Sequence, residues 1–302
     1  MPSYTTLQRA RRQMTVGSLE IVDDDLVTGF LSEAAQMIDD YTGNTFNETI
    51  ATYGFNGQVG SRNTTLNLNE RPLISIDSLI NGDGTPIIAS NYTILPIGSL
   101  YPKREVRLNQ GNYWLSINSN SNGNCSANSP LPDEAYAEDA IQITGKWGFN
   151  RRGTAAWKLT GLTVGTLYTA GAATLALSGA PGLVFDVGSV LRIDSEYFLV
   201  SGPFTSSQQS GFTATTINVT GAYNGSTAAN HNPTVPIYVY QTETVVDRAT
   251  AMLVAWLYET RLAPSGGDTG APGFGSTKVA AGMPAYVTGL LGYPYYNSWY
   301  GQ

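Results

Sequence analysis

The 302-residue chain is 42% apolar, enough to bury a sizeable core, yet only 13% charged, as in β-rich chains with polar, uncharged faces. Its formal net charge of −7 and pI near 4.7 argue against gripping nucleic acid through a basic surface. One cysteine, Cys125, and one histidine, His231, exclude an intrachain disulfide framework and the usual Cys/His zinc set, so no cofactor or metal is expected.

Residues 1–22 read as an N-terminal arm whose Arg9, Arg11 and Arg12 suit either an acidic partner or a frayed, solvated end. No apolar run follows those arginines and no later stretch is long enough to span a bilayer. A chain made in the cytoplasm, without a membrane partner, is therefore expected. From 23 to 42, Val27, Phe30, Leu31, Ala34, Ile38 and Tyr41 recur at three- and four-residue steps, which predicts an amphipathic helix. Asp23, Asp24 and Asp25 suit its positive end, and Gly43 suits a left-handed terminator.

Beyond Thr64 the period becomes two, as in Leu66/Leu68, Ile74/Ile76, Tyr92/Ile94, Val106/Leu108, Leu115/Ile117 and Ile141/Ile143, predicting a β domain over 46–150. Asn81-Gly-Asp-Gly marks a turn, and the Asn/Ser-rich 118–132 segment reads as a long loop. Strands are predicted again at Thr174–Leu177, Val190–Ile193, Tyr197–Val200, Thr216–Val219 and Ile237–Tyr240. They suggest an inserted small barrel or sandwich domain over 151–242.

At Val245 the helical period resumes and runs to Leu262. Val246, Thr250, Leu253 and Leu257 line one face, while Met252, Val254, Ala255, Trp256 and Tyr258 make the centre apolar nearly all round. Such a helix needs cover on several sides, from its own bundle or from a neighbouring subunit; Met252, Leu253, Trp256 and Leu257 are the candidate subunit-packing residues. Pro264 ends it, Ser265–Ser276 forms a Gly-rich tether, and a short helix is expected near 284–291. The fold class is thus α+β, with a helical hub at 23–45 and 243–292 interrupted by two β domains.

Several constellations invite chemistry. The glycines of 266–275 lack the Gly-Lys-Ser/Thr of a phosphate loop and follow a helix instead of a strand. His231 with Asp194 or Glu196 could form an acid/imidazole pair, but one histidine with no nucleophile placed beside it is more often a structural tie across a loop. Asp39/Asp40, and the group Asp133, Glu134, Glu138 and Asp139, suit solvated faces or a surface that repels DNA. In the tail at 293–302, Tyr293, Tyr295, Tyr296, Trp299 and Tyr300 are aromatic types enriched at interface hot spots; the tail docks on a partner or folds back on its own core.

In order along the chain, DDDLVTGFLSEAAQMIDDYTGNTF (23–46), RPLISIDSLINGDG (71–84), NYTILP (91–96), IQITGKWGF (141–149) and DRATAMLVAWLYETRLAP (247–264) resemble the head–tail connector, or adaptor, family of tailed bacteriophages. The resemblance covers 23–149 and 245–292 and departs from the family by the 156–242 insert. GSVLRIDSEYFLV (188–200) and YNGSTAANH (223–231) in that insert look similar to small β-barrel modules of phage virion proteins.

The resemblance implies a structural protein of the virion neck and no enzyme. Its copies would form a ring, a dodecamer in the family, beneath the portal protein. The ring would extend a channel through which DNA passes without specific binding, and present a platform to a downstream neck or tail-completion protein. The aromatic tail would be the portal-binding element. The main rival is a β-rich carbohydrate-binding or host-recognition module of a phage tail; a hydrolase using His231 with Asp194 or Glu196 is a third reading.

Overall fold

The computed structural model describes residues 3–14, 24–56, 64–68, 71–98, 101–109, 112–114, 139–179, 185–201, 216–260 and 283–292. Asp23, Leu115/Ile117, the 118–132 loop with Cys125, Asp133, Glu134, Glu138, the 265–276 tether and the tail aromatics Tyr293, Tyr295, Tyr296, Trp299 and Tyr300 lie outside the described residues. The chain is mixed α+β and divides into two compact units, Glu48–Thr154 and the remainder, Met1–Asn47 with Ala155–Gln302.

The Glu48–Thr154 unit holds β1 (Thr49–Phe55), β2 (Thr65–Asn67), β3 (Leu73–Ile80), β4 (Tyr92–Leu95), β5 (Glu105–Leu108) and β6 (Ile141–Trp147). They form two antiparallel three-stranded sheets, β1-β6-β3 and β2-β5-β4. Alternation decides which side chains enter the core: on β6, Ile141, Ile143 and Trp147 are buried while Gln142 is exposed. Those three share one apolar cluster with Phe55 of β1, Leu79 of β3 and Val106 of β5. The Trp147 indole donates from Nε1 to the Ala51 carbonyl (3.0 Å) and meets the Tyr53 ring edge-on at 4.9 Å, which satisfies its polar atom as well as its apolar body.

Gly145 in the middle of β6 has a steric reason. A Cβ there would stand 2.2 Å from the Ser75 carbonyl oxygen, where β3 crosses β6 with two register irregularities. Gly145→Ala is therefore expected to push β3 off β6 at a cost of about 1–3 kcal/mol. The urea unfolding midpoint measures it; an unchanged midpoint would mean that β3 can slide to accept the methyl group.

The other unit begins with α1 (Leu7–Gln13) and α2 (Asp24–Thr42). Val27, Leu31, Ala34, Ala35 and Ile38 form the buried stripe of α2, and Gly43 ends the helix at φ 65° with its N–H donated to the Asp39 carbonyl (2.8 Å). β7 (Trp157–Val164), β8 (Thr174–Gly179), β9 (Val190–Ile193), β10 (Glu196–Val200), β11 (Thr216–Thr220) and β12 (Pro236–Tyr240) close into a barrel in the order β10-β11-β8-β7-β12-β9. Closure removes both sheet edges, and Leu162, Leu175, Leu191, Phe198, Ile217 and Ile237 fill the interior. α3 (Thr244–Thr260) then packs against α1 and α2, and α4 (Ala285–Leu291) packs on α3.

Two features differ from the sequence reading. The 1–22 segment contributes a helix: Thr6 caps α1 by accepting from Arg9 N–H (3.3 Å), and Leu7 and Ala10 are buried. Nor are all its arginines solvated, since Arg9 pairs with Asp247 of α3 (2.8 Å) and Arg11 with Asp24 of α2. Five of its seven residues are Arg or Gln, so the segment reads as a basic arm and its one apolar step, Leu7 to Ala10, is hidden.

The second difference concerns the barrel, expected as a domain of its own over 151–242, which groups instead with the helices. Hydrogen bonds between the two parts explain this: Leu7 N–H donates to the Val187 carbonyl (3.0 Å) and Gln8 N–H to Asp186 Oδ2 (2.8 Å), while the Tyr240 hydroxyl donates to the Phe46 carbonyl (3.0 Å).

Candidate functional site

The densest polar cluster is at the β9–β10 turn. Asp194 turns the chain in the left-handed region (φ 52°), which Asp tolerates, and so sets Asp194 and Glu196 two residues apart on either side of Ser195. His231 arrives from a distant loop, held by reciprocal main-chain hydrogen bonds with Tyr168 (3.0 and 3.1 Å) and packed between the Tyr168 and Phe198 rings. Its Nδ1 lies 3.0 Å from Asp194 Oδ2 and its Nε2 lies 2.9 Å from Glu196 Oε2. The sequence-predicted trio is thus brought together.

The bonding defines what the trio can do. Glu196 is 0% exposed and already accepts the Ala222 N–H at Oε1 (2.9 Å) and the Ala229 N–H at Oε2 (2.8 Å), so it acts as a carboxylate acceptor. A carboxyl oxygen stands opposite each ring nitrogen, so both nitrogens are engaged within the cluster. A ring engaged at both nitrogens and 1% exposed cannot take a proton from a nucleophile without first breaking a bond. The arrangement ties the 222–231 loop to β10.

A second buried network joins the N-terminal segment to the end of α2. The Tyr4 hydroxyl donates to Asp39 Oδ1 (2.5 Å) and accepts from Phe46 N–H (3.0 Å), while Asn47 Nδ2 donates to the Ser3 carbonyl (3.0 Å). Burial, with a smaller push from Asp40, lifts the Asp39 carboxyl to about 7 against the opposing effect of the Tyr4 hydrogen bond. Burial likewise raises the Tyr4 phenol well above its usual value, as does the Asp39 charge. The pair Asp39/Asp40, read from sequence as one solvated face, is therefore divided: Asp40 is exposed and Asp39 is bonded inside.

Of the candidate subunit-packing residues, Leu253 is enclosed by its own chain, whereas Met252, Trp256 and Leu257 stay half-buried. Met252 and Trp256 stand one turn apart on the same side of α3. Among the described residues no group of three or more His, Cys, Asp or Glu is placed to hold a metal ion, and no helix is long and apolar enough to cross a membrane. The chain is thus an α+β protein with a closed six-stranded barrel. No family model, curated protein or solved structure matches it.

Proposed function

We propose that the chain is a structural protein of the phage virion neck, a head–tail adaptor without catalytic activity. It forms a ring beneath the portal protein, extends the DNA channel and receives a neck or tail-completion protein. The observation that carries the reading is the order of elements. The chain leaves α2, builds a β unit and, after the inserted barrel, returns at α3 to pack against α2; the barrel apart, this is the order of the segments that resemble the adaptor family. On this reading α2, α3 and α4 make the hub.

Two further features support it. The half-buried Met252, Trp256 and Leu257 leave apolar area on α3 for a neighbouring copy to cover. A chain with 23 acidic against 16 basic residues, repeated around a ring, gives a channel to which DNA does not adhere.

The test is to mix the purified chain with portal protein and examine the product by electron microscopy and native mass spectrometry. A coaxial ring, a dodecamer by the family resemblance, is expected. Truncation after Gly292, which removes Tyr293, Tyr295, Tyr296, Trp299 and Tyr300, should abolish attachment and leave the fold intact. A monomer that ignores portal and binds glycans would replace this reading with the carbohydrate-recognition one, and a truncated chain that unfolds would make the tail part of the core.

A further inference from the structure

The outer face of the barrel carries a cation for which the described residues supply rings but no counterion. On β7, β12 and β9 the register sets Leu159 opposite Tyr238 and Tyr238 opposite Arg192, so the three side chains stand abreast on one face. The Arg192 guanidinium carbon lies 4.8 Å from the Trp157 ring centre and 4.9 Å from that of Tyr238. Trp157 is buried, Arg192 and Tyr238 are half-buried, and Leu159 is 55% exposed.

Among the described residues no carboxylate pairs with Arg192, and no hydrogen bond engages its guanidinium or the Tyr238 hydroxyl; Arg9 and Arg11, by contrast, both have acidic partners in the chain.

Two flanking rings do specific physical work on an arginine. They hold the guanidinium by cation–π attraction, remove rotamer freedom before any partner arrives, and leave the in-plane N–H edge free. That edge matches a carboxylate, which it can bind through two parallel hydrogen bonds. Arg, Trp and Tyr are also the residue types that dominate interface hot spots, and an exposed leucine beside them supplies apolar area that a partner would dry.

We propose that this face docks on a second copy of the chain, the Arg192 guanidinium and the Tyr238 hydroxyl receiving a carboxylate of the neighbour while Leu159 is covered. Charge complementarity selects the occupant. Each copy carries 23 acidic and 16 basic residues, so a contact that neutralises a carboxylate relieves repulsion between copies, and Arg192 is a pre-oriented cation with no acidic partner among the described residues. The inference rests on the ring reading for the presence of neighbouring copies and adds to it a contact outside the helices.

Sedimentation velocity and native mass spectrometry of the full chain, over a range of concentrations and salt, test it. Wild type should assemble. Arg192→Glu and Leu159→Asp should each weaken self-association at least tenfold, and Arg192→Lys, which keeps the charge but loses the planar fork, should fall between. Circular dichroism confirms folding; should Arg192→Glu fail to fold, the exposed Leu159→Asp decides alone. If wild type assembles and the folded variants assemble with unchanged affinity, or if these substitutions disturb only the capture of a different acidic protein, the inference is overturned and the ring reading stands. If wild type is monomeric at every concentration, the inference falls, and the ring reading falls with it only if the chain also forms no ring on portal protein.

Discussion

Glu196→Ala should destabilise the barrel-containing unit by about 3–5 kcal/mol, the cost typical of removing one partner from a buried ion pair. Two backbone donors, Ala222 N–H and Ala229 N–H, and the His231 ring at Nε2 converge on that carboxyl group. Alanine leaves them without an acceptor at a position with 0% exposure, and frees the 222–231 loop from β10. Glu196→Gln keeps one acceptor oxygen but sets an amide N–H₂ against a donor, so a smaller loss of about 1–3 kcal/mol is expected. His231→Ala should lose less than Glu196→Ala, because Glu196 keeps the Ala222 and Ala229 N–H groups when the ring is removed.

Urea unfolding followed by tryptophan fluorescence measures all three variants, with Trp157 close enough to the barrel wall to report its loss. A Glu196→Ala chain within about 1 kcal/mol of wild type would mean that water replaces the carboxylate and that the cluster is not a structural tie.

Sequence periodicity was enough for the long elements. The helix predicted over 23–42 is observed at Asp24–Thr42, that over 245–262 at Thr244–Thr260, and the short one near 284–291 at Ala285–Leu291. Each buries an apolar stripe, and a stripe repeats within one segment. The barrel strands at 174–177, 190–193, 197–200, 216–219 and 237–240 were legible for the same reason, through alternation.

Closure of those strands was not legible, because pairing β10 with β11 and β9 with β12 depends on registers between segments far apart in sequence. The same limit divides Asp39 from Asp40. Two adjacent acids near a helix end look alike until Tyr4, 35 residues away, hydrogen-bonds one of them. Asp194, Glu196 and His231 could be suspected as two acids on a strand before a histidine-bearing turn, but not that Glu196 would lie wholly inside and Asp194 keep a largely exposed side chain. Arg192 gave no signal at all: its two aromatic neighbours come from β7 and β12, and only the register brings them together.

Stability should fall as pH rises from about 4 to about 7, and Asp39 should account for about 2–4 kcal/mol of the fall. A carboxyl held at about 7 in the folded chain against an ordinary 3.8 binds its proton more tightly folded than unfolded. Below pH 4 both states are protonated and the folded chain has its full stability. Between 4 and 7 the unfolded chain releases the proton while the folded one keeps it, so stability drops; above 7 both are ionised and the curve is flat.

The full difference corresponds to about 4 kcal/mol, and solvent reaching the open side of Asp39 brings the lower figure of about 2 kcal/mol. Its position in the last turn of α2, at the negative end of the helix dipole, acts in the same direction. Burial also raises the carboxyls of Asp186 and Asp247, so the wild-type curve alone does not isolate Asp39. Asp39→Asn does, since it keeps the shape and removes the titration. The stability of Asp39→Asn minus that of wild type, from urea unfolding at each pH, should therefore climb between pH 4 and 7 and level off above. A difference that stays constant across that range would show that Asp39 titrates alike in the folded and unfolded chain, and that the Tyr4–Asp39 pair holds the N-terminal segment with its carboxylate already ionised.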